Sequence, residues 1–396
     1  MTTAHLPSFF TALFVSAALV STPAAPAASA RVAVRVENPL GQPVTGALVW
    51  VNVDAPSNAY ADASGNALVT VTTGTNYLMV ARHASYGRAP ALFPFIDQDT
   101  NITITLPVRT SLRIASYNMK GYPESWSSTQ VTALARMLWT VQPDIVFAQE
   151  TRTTTLALSV FQPRYLFGYT NAQSRDWGDI RNALVSIFPL KNVFSAGTAV
   201  MTRDLFGAEA SLPGVGDTTI MSVHYAAYKN APAAATRDTE ALFTAVYCSN
   251  LHAQAKLFML GGDMNDDVGD PTWLSHVHQI LTNYNSGLRR LEPRDDAGNA
   301  ATYTSFSYTS RLDYIYLNQA FLPYVQATGV ARTDTMTNRP AWLRPTSSNL
   351  ASDHAMIFAD IALVPEPACG VLLLLILRRR LTFLLVHRHA KNKAEY

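Results

Sequence analysis

Cysteine is scarce: there are two in 396 residues, Cys248 and Cys369. That excludes a fold stapled by disulfides and a zinc centre built on paired thiolates. Charge is sparse as well, at 15%, while hydrophobic residues reach 48%. Such a balance excludes an extended disordered chain and leaves ample material for a buried core. Basic runs are missing from the body of the chain. Of 30 Lys and Arg, six fall in the last 33 residues with two of the 28 Asp and Glu, so residues 31–363 hold 24 against 26, a net −2. Nothing there marks a polyanion as partner. No G-x-S-x-G occurs, which removes the nucleophile elbow of serine hydrolases. Neither an internal repeat nor a low-complexity linker is present, and the length suits two or three domains.

The two ends read as addresses. Residues 9–20, FFTALFVSAALV, are too short to span a bilayer comfortably, and Ala28-Ser29-Ala30 fits a secretory cleavage site. Residues 1–30 are therefore expected to be a signal peptide. At the other end, Pro365-Glu366-Pro367, an apolar run and Arg378-Arg379-Arg380 resemble the PEP-CTERM sorting tail of bacterial envelope proteins. The resemblance implies export, recognition of residues 364–396 by membrane-associated sorting machinery, tail removal, and a secreted or envelope-attached product. Three arginines at mid-membrane would cost about 3 kcal/mol each, so the tail reads as a signal or interfacial segment more than an anchor. With Cys369 in that tail, Cys248 is left without a disulfide partner.

Residues 31–108 alternate as short strands, RVAVRV, ALVWVNV, ALVTVTT, YLMVARH and NITITLP, separated by turn formers such as Asp62-Ala63-Ser64-Gly65-Asn66. That spacing predicts a small all-β sandwich. Gly41-Gln42-Pro43-Val44-Thr45-Gly46-Ala47 and the Asp62–Gly65 turn resemble the carboxypeptidase regulatory-like domain, which implies a prealbumin-like sandwich without chemistry of its own.

From Ser111 strands alternate with helices, which predicts a layered α/β domain over 111–363. SLRIASYNM, DIVFAQE, TTIMSVHYA, KLFMLGGD, RLDYIYLN and AMIFADIAL read as strands. Ser127 or Ser128 caps a helix with Val131, Leu134, Leu138 and Val141 on one side and Pro143 at its end. ATRDTEALFTAVYCSNLHAQA and PTWLSHVHQILTNY read as further helices. His276 and His278, two apart on the latter, should face different sides.

Polar residues gather at the strand ends: Asn118, Glu150, His224, Asp263, Asn265, Asp313, Asp353 and His354. One such residue alone would be a cap or a turn. Together they offer hard oxygen ligands suited to Mg²⁺ and two acid/base imidazoles. Ser116-Tyr117-Asn118, Gln149-Glu150, Val223-His224, Gly261-Gly262-Asp263-Met264-Asn265, Arg311-Leu312-Asp313-Tyr314-Ile315 and Ser352-Asp353-His354 occur in the order seen in the endonuclease/exonuclease/phosphatase superfamily, which residues 111–363 resemble. The resemblance implies a four-layer α/β/β/α sandwich with two central sheets and metal-dependent hydrolysis of a phosphate ester, with Mg²⁺, or Mn²⁺ as alternative, for cofactor.

By the same resemblance Glu150 is the principal metal ligand, Asn118 helps to hold the metal, and Asp353 is an acidic group near it. Asp263 and Asn265 orient water and bind the scissile phosphate. Asp313 and His354 form a pair, and His224 protonates the leaving group or steadies a phosphate oxygen; the general base is left open. On an extended segment Asp263 and Asn265 would share a face, with Met264 turned to the core and the glycines leaving room for the phosphate. Lys120 departs from the acidic residue of some nuclease branches. Arg175, Asp176, Asp179, Arg181 and Asn182 are loop candidates, and Tyr122 and Trp126 could stack a base or touch a membrane. The substrate, nucleic acid or phospholipid headgroup, stays open. A monomer is expected. The rival reading is a catalytically inactive surface-binding protein on the same fold.

Overall fold

The computed structural model describes residues 28–51, 57–122, 128–151, 170–173, 180–304 and 309–363. Most of the expected signal peptide, the tail with Cys369, and Trp126, Arg175, Asp176 and Asp179 lie outside the described residues, as does the side chain of Tyr122. Among the described residues no helix is long and apolar enough to cross a membrane.

Alternation builds the first part. In Ser29–Glu37, Ala30, Val32, Val34 and Val36 point inward, and in Asn66–Thr72 Ala67, Val69 and Val71 answer them. Ser29–Glu37 pairs antiparallel with Asn66–Thr72 and parallel with Thr100–Thr105. Leu48–Val51 pairs with Ser57–Tyr60 and Met79–Arg82 in a second three-stranded sheet. The short Ser57–Tyr60 strand was not apparent from the sequence pattern.

Two six-stranded sheets follow. The first runs Thr170–Gln173, Arg181–Ser186, Ile145–Thr151, Ser111–Tyr122, Met356–Ala362, Val325–Ala331. The second runs Leu190–Ala196, Leu205–Leu212, Gly216–His224, Leu257–Asp263, Asp313–Asn318, Leu288–Arg290. Leu112, Ile114, Phe147, Ile220, Met259, Ile315 and Ile357 fill the space between them. Helix Ser128–Val141 covers the outer face of the first sheet through Leu134, Met137 and Leu138. Helices Ala231–Ala253 and Val277–Asn283 cover the second through Ala241, Ala245, Cys248 and Val277. The fold is a four-layer α/β/β/α sandwich preceded by an all-β region.

One helix was read too long. Over Pro271–Asn283 the chain makes a 3-10 turn at Pro271–Trp273, breaks at Leu274 with φ +60°, and restarts at Val277. The Asp270 carboxylate accepts from the Thr272 N–H at 3.0 Å, a local cap that competes with continuation.

The N-terminal strands pack onto the body. Trp50 stacks on Trp139 with ring centroids 4.7 Å apart, and Leu78, Val80 and Ala135 close around them. Beside this contact Asp144 is buried and receives Arg82 at 2.8 Å, Arg88 at 3.0 Å and Arg109 at 3.0 Å. Arg88 also reaches Asp360 at 3.0 Å, which Arg113 holds at 2.6 Å. Asp144 immediately precedes the strand that ends near Glu150. At about 3.3 Å per residue the two ends are about 20 Å apart, so the N-terminal region grips the end of the sheet opposite Glu150.

Candidate active site

Along each central strand the inward face passes from apolar, through small or neutral polar, to functional. The series are Ile114, Ser116, Asn118; Phe147, Gln149; Ile220, Ser222, His224; Met259, Gly261, Asp263; and, in reverse chain direction, Leu317, Ile315, Asp313. The period of two dictates this parity. The middle layer bonds to itself: Gln149 donates to Ser222 Oγ at 3.0 Å, and Ser222 Oγ donates to the Ala148 carbonyl at 3.0 Å. The functional layer then opens at one mouth of the space between the sheets.

Glu150 breaks the parity. Val146 and Ala148 pack toward the helix Ser128–Val141, so regular alternation would send Glu150 the same way. The register shifts between Gln149 and Thr151, and Glu150 takes φ +53°. The bulge re-aims its carboxylate. Asn118 Nδ2 donates to Glu150 Oε1 at 3.1 Å and to Asp263 Oδ2 at 2.9 Å. Its Oδ1 accepts the Lys120 N–H at 2.9 Å. Asn118 thus ties a carboxylate from each sheet together, and its first-order effect is to orient them.

His224 Nε2 lies 3.8 Å from Glu150 Oε1 and 3.6 Å from Asp263 Oδ2. His354 Nδ1 is 2.8 Å from Asp313 Oδ2, and its Nε2 is 3.7 Å from Asp263 Oδ2. The Thr302 hydroxyl oxygen accepts both the Leu312 and Asp313 N–H groups at 3.0 Å, which fixes the backbone under that pair. Asp353 sits beside the cluster, 2.8 Å from Lys120 Nζ. Asn118, Glu150, His224, Asp263, Asp313 and His354 are therefore linked through contacts of 3.8 Å or less. Asn265 adjoins them.

Two details of the GGDMND segment differ from the sequence reading. The strand ends at Asp263, and Asn265 adopts φ +46° rather than an extended conformation. Its N–H returns to Asp263 Oδ1 at 2.8 Å, and its amide reaches the Tyr225 carbonyl at 3.0 Å. A turn, not strand periodicity, keeps Asn265 by the site; Met264 does enter the core. The glycines serve packing and not phosphate approach. A Cβ on Gly261 would run into the Phe147 ring, and one on Gly262 into the Val223 carbonyl.

Several supporting groups carried no sequence signal. Arg237 is buried and donates to the carbonyls of Ala226 at 3.0 Å, Tyr228 at 2.7 Å and Trp273 at 2.9 Å. It pins the loops that follow His224 and Asp263. Of the loop candidates, Asn182 is buried and donates to the Asp204 carbonyl at 2.7 Å, and Arg181 opens its strand. His276 is exposed and faces Asp238, while His278 is buried near Tyr316 and Asp266, so the two do point apart. Burial holds His278 down at about 3.

Charge is unevenly shared. Burial alone would lower His354, but the Asp313, Asp263 and Asp353 carboxylates outweigh it and raise its pKa to about 10. Burial raises Asp263 to about 7, with Asp313 adding and His354 opposing. His224 is pushed well below its ordinary value by burial, then by Arg203 and His354. At neutral pH His354 is the charged imidazole and His224 the neutral one.

A stability dependence follows. For His354 the folded value lies above the unfolded 6.5, so its contribution is full below about 6.5 and is lost as pH rises toward about 10. Raised Asp263 acts in the same sense between about 4 and 7. The metal-free protein should lose thermal stability steadily from pH 6.5 to 10, and Asp313→Asn should flatten that limb. Melting curves across pH check this; equal slopes would break the link to the Asp313–His354 pair.

The donor set fits a hard divalent cation. Glu150, Asp263 and Asp353 offer carboxylate oxygens on the cleft, and among the described residues no thiolate is near. Asp263, Asp313 and His354 also place one atom each within 4.8 Å of one another. That grouping largely reflects the Asp313–His354 hydrogen bond, so the Glu150 side suits a cation better.

No protein-family model matches the chain, and no curated protein matches it. Solved structures do. The chain is similar to a humanised D. rerio TDP2, at 15% identity and TM-score 0.46 over 64% of this chain and 99% of that one. It is similar to an endonuclease/exonuclease/phosphatase from Beutenbergia cavernae, at 18% and 0.47 over 66% and 73%. A 3'-5' exonuclease from Neisseria meningitidis gives 15% and 0.47 over 63% and 99%.

Proposed function

We propose that residues 111–363 form a divalent-metal-dependent phosphoester hydrolase of the endonuclease/exonuclease/phosphatase kind. One observation carries the reading: the buried Asp313–His354 pair directs Nε2 to within 3.7 Å of Asp263, while Asn118 bonds Asp263 and Glu150 together across the two sheets. Glu150, with Asp263 at its edge, would hold Mg²⁺ or Mn²⁺, which when bound supplies positive charge to offset a phosphate and to acidify water.

The chain's own groups have separable tasks. Asn118 fixes the two carboxylates. Asp263, next to the imidazolium and near neutral in proton affinity, is placed to take a proton from attacking water. Protonated His354, oriented by Asp313, offers its Nε2–H to a phosphate oxygen or to the departing oxygen. Neutral His224 can donate one hydrogen bond but is ill suited to give up a proton, which narrows its part to steadying an oxygen.

The substrate class favoured is a small phosphodiester or phosphomonoester. The body carries a net −2, and a cavity of about 470 Å³ past the end of the Asp263 strand is lined by Asp266, Asp267 and Asp270 together with His276 and His278. Neither feature offers the run of cations that a long polyanion needs. Within the same proposal residues 1–30 direct export, residues 31–108 form a carboxypeptidase regulatory-like module without catalytic groups, and residues 364–396 address the envelope.

Activity with Mg²⁺ or Mn²⁺ on DNA, RNA, sphingomyelin, phosphoinositides and simple diesters tests the reading. Glu150→Gln should weaken apparent metal affinity at least about tenfold by removing a ligand charge. Unchanged metal dependence would take Glu150 out of the metal site. Hydrolysis of none of these esters would return the inactive surface-binding protein to first place.

A further inference from the structure

Lys120 stands at the edge of the proposed catalytic cleft, and its setting is built. Its backbone is in the left-handed region at φ +46°, uncommon for a lysine. The N–H that this turn aims inward is bound by Asn118 Oδ1 at 2.9 Å, the same amide that holds Glu150 and Asp263. Its Nζ reaches Asp353 Oδ2 at 2.8 Å. The single Ser352 hydroxyl proton goes to the Asn118 carbonyl at 2.9 Å, and the same oxygen lies 3.4 Å from Asp353 Oδ1. The Oδ2 of Asp353 is thus held by the Lys120 ammonium.

Among the described residues, Glu150, Asp263, Asp313 and Asp353 line the cleft. Asp313 is matched by His354, and Asp353 by Lys120. Asp353, the acidic group at the rim of the Glu150–Asp263 pair that a second cation would need, already holds an ammonium. We propose that Lys120 is the built-in second cation of this cleft: it limits the site to one divalent metal and offers its ammonium to a phosphate oxygen of the substrate.

The ammonium has three donors and Lys120 is 55% exposed, so Nζ can reach a phosphate oxygen while it keeps Asp353. A phosphate dianion is the stronger partner for a point charge. The inference rests on the phosphoesterase reading above and makes Asp353 an anchor for Lys120 rather than a metal ligand.

The test is a Mn²⁺ titration of the full chain followed by electron paramagnetic resonance. Wild type should bind one Mn²⁺. Lys120→Glu, which sets a new carboxylate beside Asp353, should bind two. Two ions in wild type, or one in Lys120→Glu, would overturn the inference and leave the phosphoesterase reading standing. No Mn²⁺ in wild type would bring both down. Lys120→Gln, nearly the same length and on an exposed site, gives a second measurement that does not depend on the Glu variant folding. Its affinity for inorganic phosphate in the presence of Mn²⁺ should fall about tenfold, the loss expected for one charge-assisted contact. Equal phosphate affinity in wild type and Lys120→Gln would also overturn it.

Discussion

His354→Ala should lower hydrolysis by roughly 10²–10⁴-fold, the range for losing a positioned acid or base. His354 is buried, its Nδ1 is 2.8 Å from Asp313, and its Nε2 is the atom turned to Asp263. Asp313→Asn keeps the shape but removes the charge that holds His354 protonated, so it should lose much of the same activity. Because the two act as a unit, the double variant should be little slower than His354→Ala alone. A kinetic cycle at saturating metal measures this. Fully additive losses would separate the two residues. A wild-type rate in His354→Ala would end the catalytic assignment.

Asp144→Ala should destabilise the protein by about 3–5 kcal/mol, the range for breaking a buried ion pair from one side. Asp144 is fully buried and holds Arg82, Arg88 and Arg109 together, and it accepts the Arg113 N–H at 2.8 Å. Without it three guanidinium groups face one another, and Arg82 and Arg109 are too deeply buried for water to screen them. Burial and the neighbouring Arg113 already lower the proton affinity of Arg88. Urea unfolding would register the loss, while KM should stay near wild type because Asp144 is at the far end of its strand from Glu150. A loss below about 1 kcal/mol would show that solvent screens the network.

Much of the architecture was legible because period-two and helical patterns are local. Ile114-Ser116-Asn118 and Ile220-Ser222-His224 each fall on one face of a strand by spacing alone. What stayed hidden depends on breaks in those periods. Nothing in DIVFAQE says that Glu150 will turn through a left-handed residue and a register shift, nor that Asn265 reaches the cleft by a turn. The role of Gly261 depends on Phe147, 114 residues earlier, and the Arg cluster on Asp144 joins segments that have no common motif. Lys120 registered in the sequence only as a departure from pattern, since its partner Asp353 is 233 residues away.

The contact between Gly261 and Phe147 has a wider meaning. Glu150 and Asn118 come from one sheet, and His224, Asp263 and Asp313 from the other. The gap between the sheets therefore works as a gauge for the cleft, and at position 261, against Phe147, it leaves no room even for a methyl. Interior substitutions that thicken this layer would appear first as altered turnover and only later as unfolding. Selection on catalysis would then preserve the width of the hydrophobic interior.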